Sequence, residues 1–279
     1  RIVQYYAKQF EPNSGDTKKV SILPLVNSST GGHVTNIIMG TWYLRENGTM
    51  RLNGFDPDNS SLSWLWPEVK KVQKAGVPVT MMMLDYWSLV AKNSTSFETC
   101  YRALHDTLAK YGFDGIDLDI EDKWTADDEI NPNAIKLDSV INLIDRLKSD
   151  FGPDFLITLA PVASALSGGQ SLSVFNYKEL ERQRGSSIAW YNAQFYNYHG
   201  FAGTPGDYIA IIDNGWSPDR VVLGMATNYE WHGAANLTTK VPHTIRKLTA
   251  KYPNFGGVDG WDYIDALPGG YVAPWKWAE

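Results

Sequence analysis

Cysteine is nearly absent. The 279-residue chain carries one, Cys100, so an internal disulfide is excluded and the thiol is expected on a buried helix face. Long apolar runs are missing as well; no stretch approaches the roughly 20 residues of a membrane span. Positive charge is in deficit. With 25 Lys+Arg against 31 Asp+Glu the net charge is −6 and the pI about 5.4, which argues against nucleic acid or an anionic membrane as a partner. The five histidines (His33, His105, His199, His232 and His243) show no ligand-type spacing, and there is neither a Gly-x-Ser-x-Gly elbow nor a phosphate-binding loop. Metal hydrolases, serine esterases and nucleotide enzymes are disfavoured, and no metal or cofactor is expected.

What is abundant is aromatic and acidic. Eleven Trp and 15 Tyr suit carbohydrate recognition, because flat rings stack on the C–H faces of sugars, although many such rings belong to any core. Hydrophobic content of 43% supports one large core. The acids concentrate in Asp114-Gly115-Ile116-Asp117-Leu118-Asp119-Ile120-Glu121. From Ile116 to Glu121 apolar and acidic residues alternate, which is the period of a strand with its carboxylates on one face. At about 3.3 Å per residue, Asp119 and Glu121 stand roughly 6.6 Å apart along it. The longer Glu side chain can reach its neighbour, so the pair can share a proton and keep one carboxyl protonated near neutral pH.

Such a face is costly unless its acids are hydrogen-bonded, bind a cation or do chemistry. Three readings compete: a calcium loop, an exposed acidic face, and a catalytic strand end. An EF-hand loop requires Gly at its sixth position and polar fillers, whereas the fillers here are Ile, Leu and Ile. Asp114 is out of phase with the other acids, which predicts a bulge at Gly115 and a structural role for that carboxylate.

Periodicity predicts strands at Ile2–Ala7, Val34–Leu44, Val77–Leu84, Ile116–Glu121, Phe155–Val162, Ile188–Asn197, Val221–Thr227 and Gly256–Tyr263, with a hairpin return at Met50–Leu52. Helices are predicted at Ser61–Ala75, Ser96–Tyr111, Ala134–Phe151, Tyr177–Arg184, Tyr208–Asn214 and His243–Tyr252, with Ser167–Ser173 as a loop. Strands alternating with helices point to an α/β fold, a single (β/α)8 TIM barrel over residues 1–279. The short connection between the last two strands leaves no room for an α+β insertion domain. Ala273–Glu279 reads as the start of a last barrel helix, cut short. In a barrel, functional residues lie at the C-terminal strand ends, and the sixth strand presents Asn192, Gln194 and Tyr196 in one phase. A polar inner face beside an acidic one is hard to explain by packing alone.

The run Asp114–Glu121 resembles the DGxDxDxE signature of glycoside hydrolase family 18, the chitinases and endo-β-N-acetylglucosaminidases. Further stretches, Asp154–Val162, Trp190–Tyr196, and Leu267-Pro268-Gly269-Gly270 followed by Pro274-Trp275, look like the fungal secreted endo-β-N-acetylglucosaminidases of that family, which cut between the two core GlcNAc residues of N-glycans. The resemblance implies substrate-assisted hydrolysis with retention. Glu121 would be the acid and then the base, and Asp119 would orient the substrate's 2-acetamido group. Tyr196 would hold that group from the other side, and Asp117 would hydrogen-bond Asp119 from below. Gln194-Phe195-Tyr196-Asn197 resembles the family's strand-six motif, and Trp261 matches the Trp that floors the −1 subsite. Tyr5, Trp42 and Met225 fall where the family lines its cleft. Two departures stand out. Asp85 lies in Met83-Leu84-Asp85-Tyr86 where the family carries small residues, and Asp259 stands where it usually has Met. Sequons at Asn27, Asn47, Asn59, Asn93 and Asn236, with a chain that opens directly on a strand-like run, lead us to expect a secreted, extracellular glycoprotein, acting as a monomer on a GlcNAc-containing oligosaccharide.

Overall fold

The structure is a computed structural model that describes residues 1–27, 33–92, 94–229, 232–264 and 266–278. Its frame is a ring of parallel strands: β1 (Ile2–Tyr6), β2 (Asn36–Leu44), β4 (Val79–Leu84), β5 (Gly115–Asp119), β6 (Leu156–Leu159), β7 (Trp190–Gln194), β8 (Val221–Ala226) and β9 (Val258–Trp261). Pairing of β1 with both β9 and β2 closes the ring. The short β3 (Met50–Leu52) returns antiparallel on β2, as the Asn47-Gly48 turn predicts. Closure leaves none of the eight parallel strands at a free edge, and the continuously apolar strands are covered on their outer side by helices.

Those helices are α1 (Leu65–Lys74), α2 (Phe97–Tyr111), α3 (Leu137–Phe151), α4 (Ala163–Ser167), α5 (Tyr177–Arg184), α6 (Gly206–Asp213) and α7 (Lys240–Lys251). Each longer helix turns one apolar stripe inward; α2 buries Phe97, Tyr101, Leu104 and Leu108, with Cys100 beside them, and stops at Gly112 in the left-handed conformation. Between β8 and β9 the helix is α7, so the barrel carries no insertion domain there. Helix α4 lies where the sequence reads as the approach to a Gly/Ser loop. The C-terminal segment folds as short 3-10 turns at Gly270–Val272 and Pro274–Ala278, and the Trp277 indole donates to Gln4 Oε1 on β1.

Burial divides into two cores. The larger lies between strands and helices. The smaller fills the barrel lumen from Val3, Tyr5, Ile38, Met82, Trp190 and Val222. Two expectations about Asp114 separate here. Its carboxylate is structural, accepting from Val79 N and Gln73 Nε2 at 2.8 Å each. The bulge at Gly115 is absent: Gly115 pairs in register with Thr80 and Leu156. Glycine is required there for space, since a Cβ would stand 2.2 Å from the Leu156 carbonyl oxygen.

Candidate active site

Strand β5 brings the acids into the lumen in layers. Deepest is Asp117, fully buried. Its carboxylate accepts from Tyr5 Oη at 2.9 Å, Thr158 Oγ1 at 2.5 Å and Asn192 Nδ2 at 3.1 Å. Burial pushes its pKa up, and those three hydrogen bonds pull the other way. In place of the expected bond from Asp117 to Asp119, Asp117 takes donors from three other strands, β1, β6 and β7. One of them, Thr158, escaped the sequence reading; a lone polar residue inside Leu156–Leu159 is the signal that could have found it.

Asp119 is one pleat higher and also buried. Its pKa is raised well above the ordinary carboxyl value, first by burial and then by the neighbouring charges of Glu121 and Asp117. Trp87, likewise missed in sequence, donates its indole N–H to the Asp119 carbonyl at 3.1 Å and fixes the strand end.

The strand stops at Asp119, so Glu121 lies two residues beyond it, exposed at the barrel mouth. Gln194 Nε2 donates to Glu121 Oε1 at 2.8 Å and approaches Asp119 Oδ1 at 3.4 Å, while also reaching the Ala160 carbonyl at 2.9 Å. One amide thus ties both acids to the rim of β6 and β7. Just past Glu121, Asp122 holds Ile135 N at 2.6 Å, and burial raises its carboxyl to about 6. That contact anchors the loop leading to α3.

These groups open into a cavity of about 220 Å³ whose lining includes Asp119, Glu121, Gln194, Tyr196, Asn197, His199 and Trp261. Trp261, which lines it, meets Tyr5 edge to face, centroids 5.5 Å apart. Burial, and next the charge of Asp259, push the Tyr196 hydroxyl well above its ordinary pKa, so it is a donor at any working pH. Among the described residues, no group of three or more His, Cys, Asp or Glu is arranged to hold a metal ion. A larger opening of about 610 Å³ lies outside the barrel beside α5. Its acids Glu179 and Glu181 are paired with Arg182 and Arg220.

Two expected cleft residues are elsewhere. Trp42 is buried in the outer core against Trp66, Tyr111 and Phe113. The β2–β4 register shifts between Met39 and Trp42, and that irregularity reverses the alternation that would have aimed Trp42 inward. Met225 also belongs to the outer core. The inward phase of β8 is that of Val222 and Gly224, and the bulkier side chain is the one that packs on the helices.

Of the two departures, Asp85 is exposed at the end of β4 with φ of 64°, and partial burial raises its carboxyl. Asp259 points into the lumen, buried, its Oδ2 without a partner among the described residues. Gly224 makes room for it; a Cβ there would meet Asp259 Oδ2 at 2.6 Å. Burial, and then the charge of Asp117, raise its pKa well above the ordinary value. Among the sequon asparagines, Asn27, Asn47 and Asn59 are exposed and Asn236 is half-buried; Asn93 lies outside the described residues.

Known proteins place this geometry. A fungal endo-β-N-acetylglucosaminidase of glycosyl hydrolase family 18 superposes with a TM-score of 0.90 at 35% identity, covering 100% of this chain and 95% of that one. The chitinase ChiC of Aspergillus fumigatus gives a TM-score of 0.86 at 41% identity, covering 100% and 96%. Chitinase D of Niallia circulans is 27% identical over 157 residues, 53% of this chain but 29% of its own length, so the match spans well under half of that relative. The family model described as glycosyl hydrolases family 18 matches residues 1–263, and with the closed barrel and its acidic fifth strand the chain belongs to glycosyl hydrolase family 18.

Proposed function

We propose that the chain hydrolyses the β-1,4 bond between the two core GlcNAc residues of N-glycans, with retention and with the substrate as its own nucleophile. The observation that carries this reading is the one-sided placement of the acids. Both carboxylates among the described cavity residues, Asp119 and Glu121, come from the end of β5, while Trp261 and Tyr196 form other parts of the wall. A protein nucleophile needs a second carboxylate across the sugar from the acid. Lacking one, the cavity suits a sugar that supplies its own 2-acetamido oxygen.

In this mechanism Glu121, the exposed acid, protonates the glycosidic oxygen. As that bond breaks, the acetamido oxygen closes on the anomeric carbon and an oxazolinium ion forms. Asp119 orients the acetamido N–H and faces the developing positive charge, and the Tyr196 hydroxyl holds the carbonyl end. Glu121, now ionised, takes a proton from water, which opens the ring from the same face as the departed sugar. Tyr5, Thr158 and Asn192 keep Asp117 in place beneath, and Trp261 floors the reacting sugar.

A second reading, cleavage of chitin, is favoured by the 41% identity to a chitinase over the full chain; the same residues perform it. Digestion of a high-mannose glycoprotein and of colloidal chitin side by side separates the two. Glycans ending in a single GlcNAc support the first reading and chitobiose the second, and a purified chain that releases neither refutes both. We read the chain as secreted, a proposal supported by the exposed sequon asparagines and tested by glycosidase-sensitive mobility of the native protein.

A further inference from the structure

The last ladder pair on β5 is Asp119 with Leu84 of β4, and Glu121 stands two residues beyond it. The chain is next held at Asp122 and Lys123. Ile135 N donates to Asp122 Oδ2 at 2.6 Å, and Asn131 Nδ2 donates to the Asp122 carbonyl at 2.9 Å. Lys123 N donates to the Leu172 carbonyl at 2.9 Å, and the Lys123 carbonyl accepts from Asn131 N at 2.8 Å. Ile135 is fully buried in the outer core, and Leu172 lines the catalytic cavity. Asp122 thus ties the peptide that carries Glu121 to a fixed post in the core, one residue from the acid.

This tie is made by a carboxyl in a costly place. One of its oxygens has the Ile135 amide, whereas Oδ1 is buried without a hydrogen-bond partner among the described residues. The ion pairs among the described residues do not include it. Asp85 at the end of β4 and Tyr177 on α5 face it, and Glu121 and Lys123 flank it in the chain. The Lys123 ammonium lies instead over the Trp124 ring, 4.9 Å from its centroid. Burial outweighs the Ile135 bond and lifts the carboxyl to about 6, so the group is neutral below that pH and ionised above it. An amide bonded to a carboxylate is held roughly twice as strongly as one bonded to a neutral oxygen. The tie is therefore tightest where Asp122 is ionised.

We propose that Asp122 is a positioning residue for Glu121: its carboxylate, bound to the Ile135 amide, sets the main chain from which the acid reaches the glycosidic oxygen, and protonation of Asp122 slackens that placement. Asp122 is not among the described residues that line the catalytic cavity, so it acts through Glu121 and not on the sugar. This inference rests on Glu121 as the acid of the proposed hydrolysis. It adds what holds that acid in place and gives turnover a dependence on a second carboxyl.

The test compares the full chain with its Asp122→Asn and Asp122→Ala variants across roughly pH 4.5 to pH 8. The substrates are a high-mannose glycopeptide and N-acetylchitotetraose, and the one the parent cleaves serves for all three. Well above pH 6, Asn keeps a neutral acceptor for the Ile135 amide and should lower kcat about tenfold. Ala keeps none and should lower it about 100-fold, the scale of a small misplacement of a catalytic group. KM should change by less than about twofold, because binding of the sugar does not involve Asp122. On the acid side the parent and the Asn variant should converge, since position 122 is then neutral in both. The ratio of their kcat values should rise with pH through about 6. Titration of Asp119 and Glu121 is common to both chains and largely cancels in that ratio. A constant loss from weaker packing does not imitate the trend, and a cooperative thermal transition checks that each variant folds. A ratio that does not vary with pH overturns the inference and leaves the hydrolytic reading intact. A parent chain that cleaves neither substrate overturns both.

Discussion

Asp259 offers a quantitative test of the electrostatics inside the barrel. The group is buried, its Oδ2 lacks a partner among the described residues, and its pKa is raised well above 3.8 by burial and then by Asp117. A carboxyl in that position folds in its neutral form. Below pH 3.8 the unfolded chain is also protonated and the group adds no pH-dependent cost. As pH rises above that value the unfolded carboxyl ionises while the folded one does not, so stability falls by about 1.4 kcal/mol per pH unit until the folded pKa is reached. Asp259→Asn removes this proton linkage. Its amide brings an offset of its own, about 1–3 kcal/mol for an ill-satisfied polar group, but that offset does not vary with pH. The informative quantity is therefore the slope. Urea unfolding of both proteins at a series of pH values above roughly pH 4 should show the variant gaining stability relative to the parent as pH rises. Other raised carboxyls, Asp117 and Asp119 among them, are common to both chains and largely cancel. A difference that stays flat across that range would mean Asp259 is already ionised in the folded barrel and would refute the reasoning.

Three further outcomes follow from the geometry. Glu121→Gln should lower kcat by at least about 10²-fold, the scale of a lost general acid, while oligosaccharide binding measured by calorimetry persists; unchanged turnover would remove Glu121 from the mechanism. Tyr5→Phe withdraws the 2.9 Å donor from Asp117 Oδ2 and should cost about 1–3 kcal/mol in chemical denaturation; a neutral result would show that solvent replaces it. Gly115→Ala places a Cβ 2.2 Å from the Leu156 oxygen, forcing β5 from β6 and costing about 1–3 kcal/mol. Its thermal midpoint should fall, and turnover should fall with it because the same strand carries Asp117 and Asp119.

Much of this architecture is legible in the residue pattern, and the failures have local causes. Short apolar runs locate most barrel strands because each buries both faces, and the stripes of α2 and α3 locate helices because one face must meet the sheet. The acidic strand is legible because three inward carboxylates have few purposes other than chemistry. The resemblance puts Trp42 in the cleft, but a register shift between β2 and β4 turns it to the outer core, and such shifts depend on the partner strand. Met225 falls at a position where the family lines its cleft, but here Gly224 holds the inward position and accommodates Asp259, so the methionine packs on the helices. Helix α4, with its small residues Ala163–Ser167, carries no strong stripe. Trp87 and Thr158 serve the site through a backbone carbonyl and a neighbouring acid, contacts that only the closed ring brings together.

The carboxyls that cost stability are also suited to the proposed chemistry. Asp117, Asp119 and Asp259 share one lumen, and the charge of Asp117 raises the pKa of both Asp119 and Asp259. The ion pairs found among the described residues all involve other acids, so the lumen acids answer to hydrogen bonds rather than to a fixed cation. Such a cavity is short of positive charge at rest. In substrate-assisted hydrolysis a positive charge appears on the reacting sugar only as the bond breaks, beside Asp119, so the unfavourable field of the resting site becomes favourable in the transition state. A lysine or arginine paired with Asp119 would stabilise the fold and forfeit that difference. The argument predicts that replacing Asp119 with Asn depresses turnover far more than it weakens binding of neutral oligosaccharide, whereas equal losses in kcat/KM and in affinity would assign Asp119 to ground-state binding alone.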